Sequence, residues 1–269
     1  MDPDPAFLTY EAIAGVYDAF THSNDYERWL GQALLPELRR HGLRDGGKAL
    51  DVGCGTGRAF RPLQRRGWQI HGCDLSSAML EVAAKESSAD VTLRVADMRS
   101  LPHLGDFDLV LSLNDSVNYL LGDNDLILAL SGMRENLAGH GLLVFDVNTS
   151  STFASGYSGE RSVKHQGSRW VWTGHGEVAP SIFESEIAGD RLTEPIRHLE
   201  RFRSEGEVRE AMRTAGIETL AALGMSEADD KILLATPLDE HRDYKLVFIG
   251  AVASRLPRWQ PGVPEPVCP

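Results

Sequence analysis

Apolar positions along this chain of 269 residues fall into two patterns. In the first, nearly continuous apolar runs end abruptly in polar residues: GKALDVG, WQIHGCDL, VTLRVAD, FDLVLSLND and GLLVFDVN. Such runs predict strands covered on both faces. In the second, apolar residues recur every three or four positions, as Leu126, Leu130, Met133 and Leu137 do, which predicts a helix. Further helices are expected over about residues 9–42, ending in the turn GLRDGG, and over about 58–67. Another runs through SSAMLEVAAKE, with Ser76 or Ser77 as its cap. Strand and helix alternate, so the expected architecture is α/β with a parallel, doubly wound sheet.

After Asn148 the alternation stops. Residues 150–203 are richer in Ser, Gly, Trp, Glu and Arg, and SRWVWTGHGEV, SIFESEIAG and IRHLERFRS predict an inserted antiparallel β-layer. SEGEVREAMRTAG then predicts a helix, with Ser204 as cap and Glu207 at the capping-box position. IETLAALG and YKLVFIGAVAS close the sheet as a C-terminal antiparallel hairpin, giving seven strands. The expected organisation is an N-terminal helical lid (1–42), a core (43–149 and 204–254), the inserted β-layer (150–203) and a Pro-rich tail (255–269).

Composition narrows the partners. The chain is 42% hydrophobic, with a net charge of −12 and a pI of about 5.2. That balance argues against a nucleic-acid partner, which a basic patch would favour. The densest basic stretch, RAFRPLQRRGW, reads as the solvated face of one helix. There is no apolar run near the ~18 residues a membrane span needs and no basic n-region, so a cytoplasmic protein without a membrane partner is expected. Cys54, Cys73 and Cys268 make neither a disulfide framework nor a metal cluster, and no metal is expected. A monomer and a homodimer both remain open.

In a doubly wound sheet, ligands bind outside the carboxyl ends of the strands. That rim holds Gly53, Gly55 and Gly57, with Asp51 two residues ahead of the first. The spacing is not G-x-G-x-x-G, and Asp51 would repel a pyrophosphate but suit an ammonium or hydrogen-bond donors. Asp74 ends the next strand, 23 residues on, where a carboxylate can bind both hydroxyls of a ribose. Asp97 ends the third, placed to accept from an adenine amino group, with Met98 to cover the base.

Together, LDVGCGTGR, CDLSSAML and VADMRSLP resemble the class I S-adenosylmethionine-dependent methyltransferases. The likeness is good over about 47–150 and looser to about 254. It implies a Rossmann-like sheet, S-adenosylmethionine as cofactor and S-adenosylhomocysteine as product. It also implies roles: Gly53, Cys54 and Gly55 line the methionine end with Asp51 nearby, Asp74 takes the ribose, and Asp97, Met98 and Leu75 hold adenine. Asn114 would contact the methionine moiety. The N-terminal AGVYDAFTHSNDYERWL and LNDSVNYLL resemble a subgroup of bacterial small-molecule enzymes, some N-methylating amino sugars in antibiotic pathways. In that subgroup N-terminal aromatics close over the cofactor, which Tyr17, Tyr26 and Trp29 match in type, and a β-layer covers the substrate pocket. The chain lacks an Asn-Pro-Pro-Tyr-type tetrapeptide after the fourth strand, which argues against a nucleobase or glutamine amine.

Methyl transfer is an in-line displacement that rests largely on positioning. A hydroxyl acceptor also gains from a general base, worth ~10²–10⁴-fold. The candidate bases are His22 and Asp115, with His165 and His175 in the inserted layer; His198 reads as structural. Tyr119, Trp170 and Trp172 are candidates for the substrate pocket. The expected activity is methylation of an O or N atom of a small molecule, in natural-product biosynthesis. The alternatives are methylation of RNA or protein, or a cofactor-binding subunit without its own activity.

Overall fold

The run KALDV forms β1 (Lys48–Val52), buried in all but its first residue, as a strand covered on both faces must be. The computed structural model describes residues 4–21, 24–165 and 167–253. Beside β1 stand β2 (Gln69–Asp74), β3 (Thr92–Val95), β4 (Phe107–Ser112) and β5 (Leu137–Asn148). They pair in parallel in the order β3-β2-β1-β4-β5. Successive side chains on a strand point to opposite faces. Leu109 and Leu111 therefore join one core cluster, with Trp29, Phe60 and Ile249, while Val110 joins the other, with Leu130, Met212 and Phe248.

Helices cover both faces. The N-terminal segment folds as α1 (Pro5–Ile13), α2 (Tyr17–Phe20), a π-helical run Glu27–Leu34 and α3 (Leu35–Arg40). Then come α4 (Arg61–Gln64), α5 (Ser77–Glu86) and α6 (Asp125–Glu135). Ser76 caps α5 through the N–H of Met79.

After β5 and the short α7 (Ser150–Gly156), a second sheet forms from β6 (Ser158–His165), β7 (Ser168–Ala179), β8 (Ile182–Gly189) and β9 (Ile196–Arg201). All its pairings are antiparallel. α8 (Glu205–Thr214) carries both halves of the Ser204–Glu207 capping box. The chain then returns to the large sheet through β10 (Ile217–Ala228), β11 (Lys231–Ala235) and β12 (Lys245–Val252).

The large sheet has eight strands rather than seven, because KILLA forms β11 at its edge beside β10. β12 pairs antiparallel with β10, as expected, although β11 intervenes in sequence. It inserts antiparallel between β5 and β10. The basic stretch after β1 is a solvated face only in part, at Arg65 and Arg66, which are exposed. Arg58 and Arg61 bond to backbone carbonyls, and Arg65 and Arg66 pair with Glu27 of the N-terminal segment. No described helix is long and apolar enough to cross a membrane. The Pro-rich tail and Cys268 lie outside the described residues.

Candidate active site

The loop after β1 turns sharply, with Gly53, Gly55 and Gly57 at φ of 73°, 53° and 80°. This left-handed region favours glycine. A side chain at Gly55 would meet nothing within 4 Å, because that backbone faces open space. Asp74 braces the loop from the end of β2. One carboxylate oxygen accepts the Gly55 N–H at 2.8 Å and the other the Ser76 N–H at 2.9 Å. Burial raises its pKa above the ordinary value against those hydrogen bonds.

The open space is a cavity at the carboxyl ends of the strands. Tyr17, Tyr26, Gly53, Cys54, Gly55, Asp74, Leu75, Asp97, Met98, Asn114 and Tyr119 all line it. Asp51 does not. It lies beneath the loop, 1% exposed, with neither carboxylate oxygen partnered. Burial, and then the charge of Asp74, push its pKa up to about 8. Asp97 begins a 3-10 turn, and its carboxylate is gripped by the Arg99 guanidinium at 2.6–3.0 Å. Burial raises the Asp97 pKa, but Arg99 outweighs it and holds the group below the ordinary value.

After β4 the backbone takes two consecutive left-handed residues, Asn114 (φ 63°) and Asp115 (φ 57°). Such strain persists only where surroundings enforce it. Here fully buried Asp146 at the end of β5 accepts both N–H groups, at 2.6 and 2.9 Å. Lys245 of β12 donates to Asp146 at 2.7 Å and to Asp115 at 2.5 Å. Burial lifts Asp115 to about 7, with Lys245 opposing and Glu200 and Asp146 adding to the rise. Asp115, expected as a base, therefore faces Lys245 and is not among the residues lining the cavity. His22, the other expected base, lies outside the described residues.

The N-terminal segment roofs the cavity with Tyr10, Tyr17 and Tyr26. Polar contacts tie it down. Thr56 donates to Asp18 at 2.6 Å, Arg58 donates to the Thr21 and Asn24 carbonyls, and Asn114 accepts from the Asn24 amide and donates to the Tyr17 hydroxyl. Glu11 of α1 accepts from the first residues of α5, Ser77 and Ala78.

Two expected pocket residues sit elsewhere. Trp170 is 3% exposed in a satellite core with Ile13, Val16 and Ile187, pressed against Gly189, where a Cβ would come within 2.7 Å of the indole. Trp172 joins that core's margin and packs edge-on against His198, ring centres 4.3 Å apart. Both pin the second sheet to the N-terminal helices instead of lining the cavity. His175 pairs with Glu186 across the second sheet.

The structure also brings in residues that the sequence reading passed over. Tyr10 stands edge-on to Tyr17 and Tyr119. His198, read as structural, places Nε2 3.0 Å from the Tyr119 hydroxyl and 3.2 Å from Glu200. The available signal was the two-residue spacing of His198 and Glu200, which puts both on one face of a strand.

Comparison with known proteins finds relatives of this chain. A family profile described as a methyltransferase domain matches residues 49–141. Two relatives carry provisional methyltransferase names. The Bacillus subtilis protein YqeM is 32% identical over 193 residues, covering 62% of this chain and 75% of that protein. A Geobacillus sp. protein is 35% identical over 146 residues, covering 53% and 59%. The chain thus spans under two thirds of the Geobacillus relative. A Streptomyces venezuelae dTDP-3-amino-3,4,6-trideoxy-alpha-D-glucopyranose N,N-dimethyltransferase is 30% identical, covering 57% and 65%. The solved structure of a S-adenosylmethionine-dependent methyltransferase from Clostridium acetobutylicum shares the fold, with a TM-score of 0.70, 18% identity and coverage of 91% and 99%.

Proposed function

The chain belongs to the S-adenosylmethionine-dependent methyltransferases, and on that premise we propose that it methylates an O or N atom of a small molecule in the cytoplasm, within natural-product biosynthesis. The observation that carries the reading is the roofed cavity. Tyr10, Tyr17 and Tyr26 line it from the N-terminal segment, above the glycine loop and the acidic strand ends. Concave sites of this kind bind small molecules. A folded protein or an RNA duplex would have to displace the roof.

The cavity residues fit the cofactor. Open space at Gly55 and the wall carboxylates of Asp74 and Asp97 suit a ligand rich in donors. An ammonium, two ribose hydroxyls and an adenine amine are such donors. We assign Asp74 to the ribose, Asp97, Met98 and Leu75 to adenine, and Gly53, Cys54, Gly55 and Asn114 to the methionine end, with Asp51 behind. When bound, S-adenosylmethionine supplies a methyl group on a positively charged sulfur. The chain's part is to hold the acceptor in line with it and exclude water. The relative from Streptomyces venezuelae is named for methylating an amino sugar, which supports an amine or hydroxyl acceptor of that size.

The test combines calorimetry and mass spectrometry. S-adenosylmethionine and S-adenosylhomocysteine should both bind. With the first present, a panel of small amines, amino sugars, phenols and alcohols should yield a product heavier by one methyl group. Methylation confined to RNA or protein controls would overturn the proposal.

A further inference from the structure

The acids assigned so far answer the donors of the cofactor and leave one of its charges unanswered. Its methionine end also carries a carboxylate, which calls for a cation. Among the described residues, the charged side chains lining the cavity are Asp4, Asp74, Asp97, Arg58 and Arg99. Arg99 is already engaged by two acids. Its guanidinium holds both oxygens of Asp97 and reaches Asp4 at 2.8 Å. Arg58, the first residue of the basic stretch after β1, is different. Its bonds to described residues all end on uncharged oxygens. Nη1 donates to the carbonyl and hydroxyl of Thr21, at 2.6 and 2.7 Å, and Nη2 to the Asn24 carbonyl at 2.8 Å. The Nε–H and one Nη2 hydrogen are left without a bond to a described residue.

The neighbours of Arg58 place it at the methionine end. Asn24, whose carbonyl it holds, passes its own side-chain amide to Asn114 at 3.0 Å. The guanidinium lies over the ring of Tyr26, 5.5 Å from its centre, and Tyr26 lines the same cavity. A guanidinium stacked on a ring keeps its donors in its own plane, where they can reach a carboxylate with two parallel N–H bonds. Arg58 is half-buried, so an ion pair made there is screened less than one on the open surface. Two carbonyls and a hydroxyl need donors but no charge, so the hold on the roof does not by itself account for an arginine.

We propose that Arg58 is the residue that binds the carboxylate of the cofactor's methionine end. This rests on the cofactor reading above. The cavity then matches its ligand charge for charge: Asp74 and Asp97 meet donors, and Arg58 meets the one anionic group. Arg58 also sorts ligands. One that carries a carboxylate beside its amine is held, and one that carries the amine alone loses that hold. Because the same side chain holds Thr21 and Asn24 of the roof, its two roles have to be separated by changing the ligand as well as the protein.

The test is calorimetry on the full chain with two ligands, and it needs no turnover. One is S-adenosylhomocysteine. The other is its decarboxylated analogue, which keeps the amine, the ribose and the adenine. The wild type should bind the analogue about tenfold to a hundredfold more weakly, the worth of a hydrogen bond between charged groups. Arg58→Gln should weaken S-adenosylhomocysteine by a similar factor and close the gap between the two ligands. A loss shared equally by both ligands overturns the proposal, because Arg58 then acts through the roof alone. Equal wild-type affinity for the two ligands overturns it without any variant. In both cases S-adenosylhomocysteine still binds the wild type, so the cofactor reading stands. A wild type that binds neither ligand overturns that reading and the proposal together.

Discussion

Asp51 offers a direct test of how the cofactor loop is built. Its carboxyl is buried and unpartnered beneath the glycines, and its pKa is raised from 3.8 to about 8 by burial and then by Asp74. Between those two pH values the unfolded chain releases the proton while the folded chain keeps it. The folded state binds more protons, so stability falls as pH rises, until the folded form also ionises near 8. Each pH unit costs about 1.4 kcal/mol, for a ceiling of about 4 kcal/mol at pH 7. Water entering the loop and relaxation of the buried site reduce this to roughly 1–2 kcal/mol. Asp51→Asn keeps the shape and removes the ionisation. In a protein of this size, each 1 kcal/mol moves Tm by about 2–4 °C. The expected result, by thermal unfolding without cofactor, is a Tm for Asp51→Asn above the wild type at pH 8 and close to it at pH 4.5. A Tm difference that is constant across that range refutes the reasoning.

Three further substitutions separate cofactor binding from scaffold. Asp74→Ala frees the Gly55 and Ser76 N–H groups and removes the carboxylate assigned to the ribose. Calorimetry should show S-adenosylhomocysteine affinity down by at least about tenfold, the loss of one charge-assisted hydrogen bond; an unchanged Kd contradicts the assignment. Arg203, 5% exposed, donates to the carbonyls of Val117, Leu120 and Gly122 around the turn that presents Tyr119. Arg203→Met should cost about 2–4 kcal/mol in denaturant unfolding, because buried carbonyls are left unpaired. Trp170→Ala should cost about 3–5 kcal/mol, as large core deletions do, while cofactor affinity holds because Trp170 does not line the cavity; a large fall in affinity without a fall in stability would place it in the cavity wall after all.

The parallel half of the sheet and its acidic strand ends were legible because both are local signals. An apolar run followed by Gly53, Asp74 or Asp97 shows the strand and its rim together. The capping box at Ser204 is local in the same way. What escaped the sequence reading depends on pairing between distant segments. Tyr119 and His198 are 79 residues apart, and Asp115 and Lys245 are 130 apart. No periodicity brings such residues together. Two-residue spacing placed Trp170 and Trp172 on one face of β7, but which neighbour covers that face is decided by α1 and by Gly189. KILLA, which alternates exposed and half-buried residues at the sheet edge, was too short and too mixed to stand out as β11.

The place of β12 has a consequence for how the working molecule comes into being. It is the last strand described, yet it sits inside the sheet between β5 and β10 and carries Lys245, the cation that holds Asp115 and Asp146. A chain emerging from the ribosome makes its glycine loop and Asp74 early, but the corner at Asn114 has no counter-charge until residue 245 has been synthesised. The corner therefore waits for β12, and a chain released short of it would expose the flanks of two strands and leave two neighbouring acids without their cation. Such fragments are candidates for rapid proteolysis rather than for partial function.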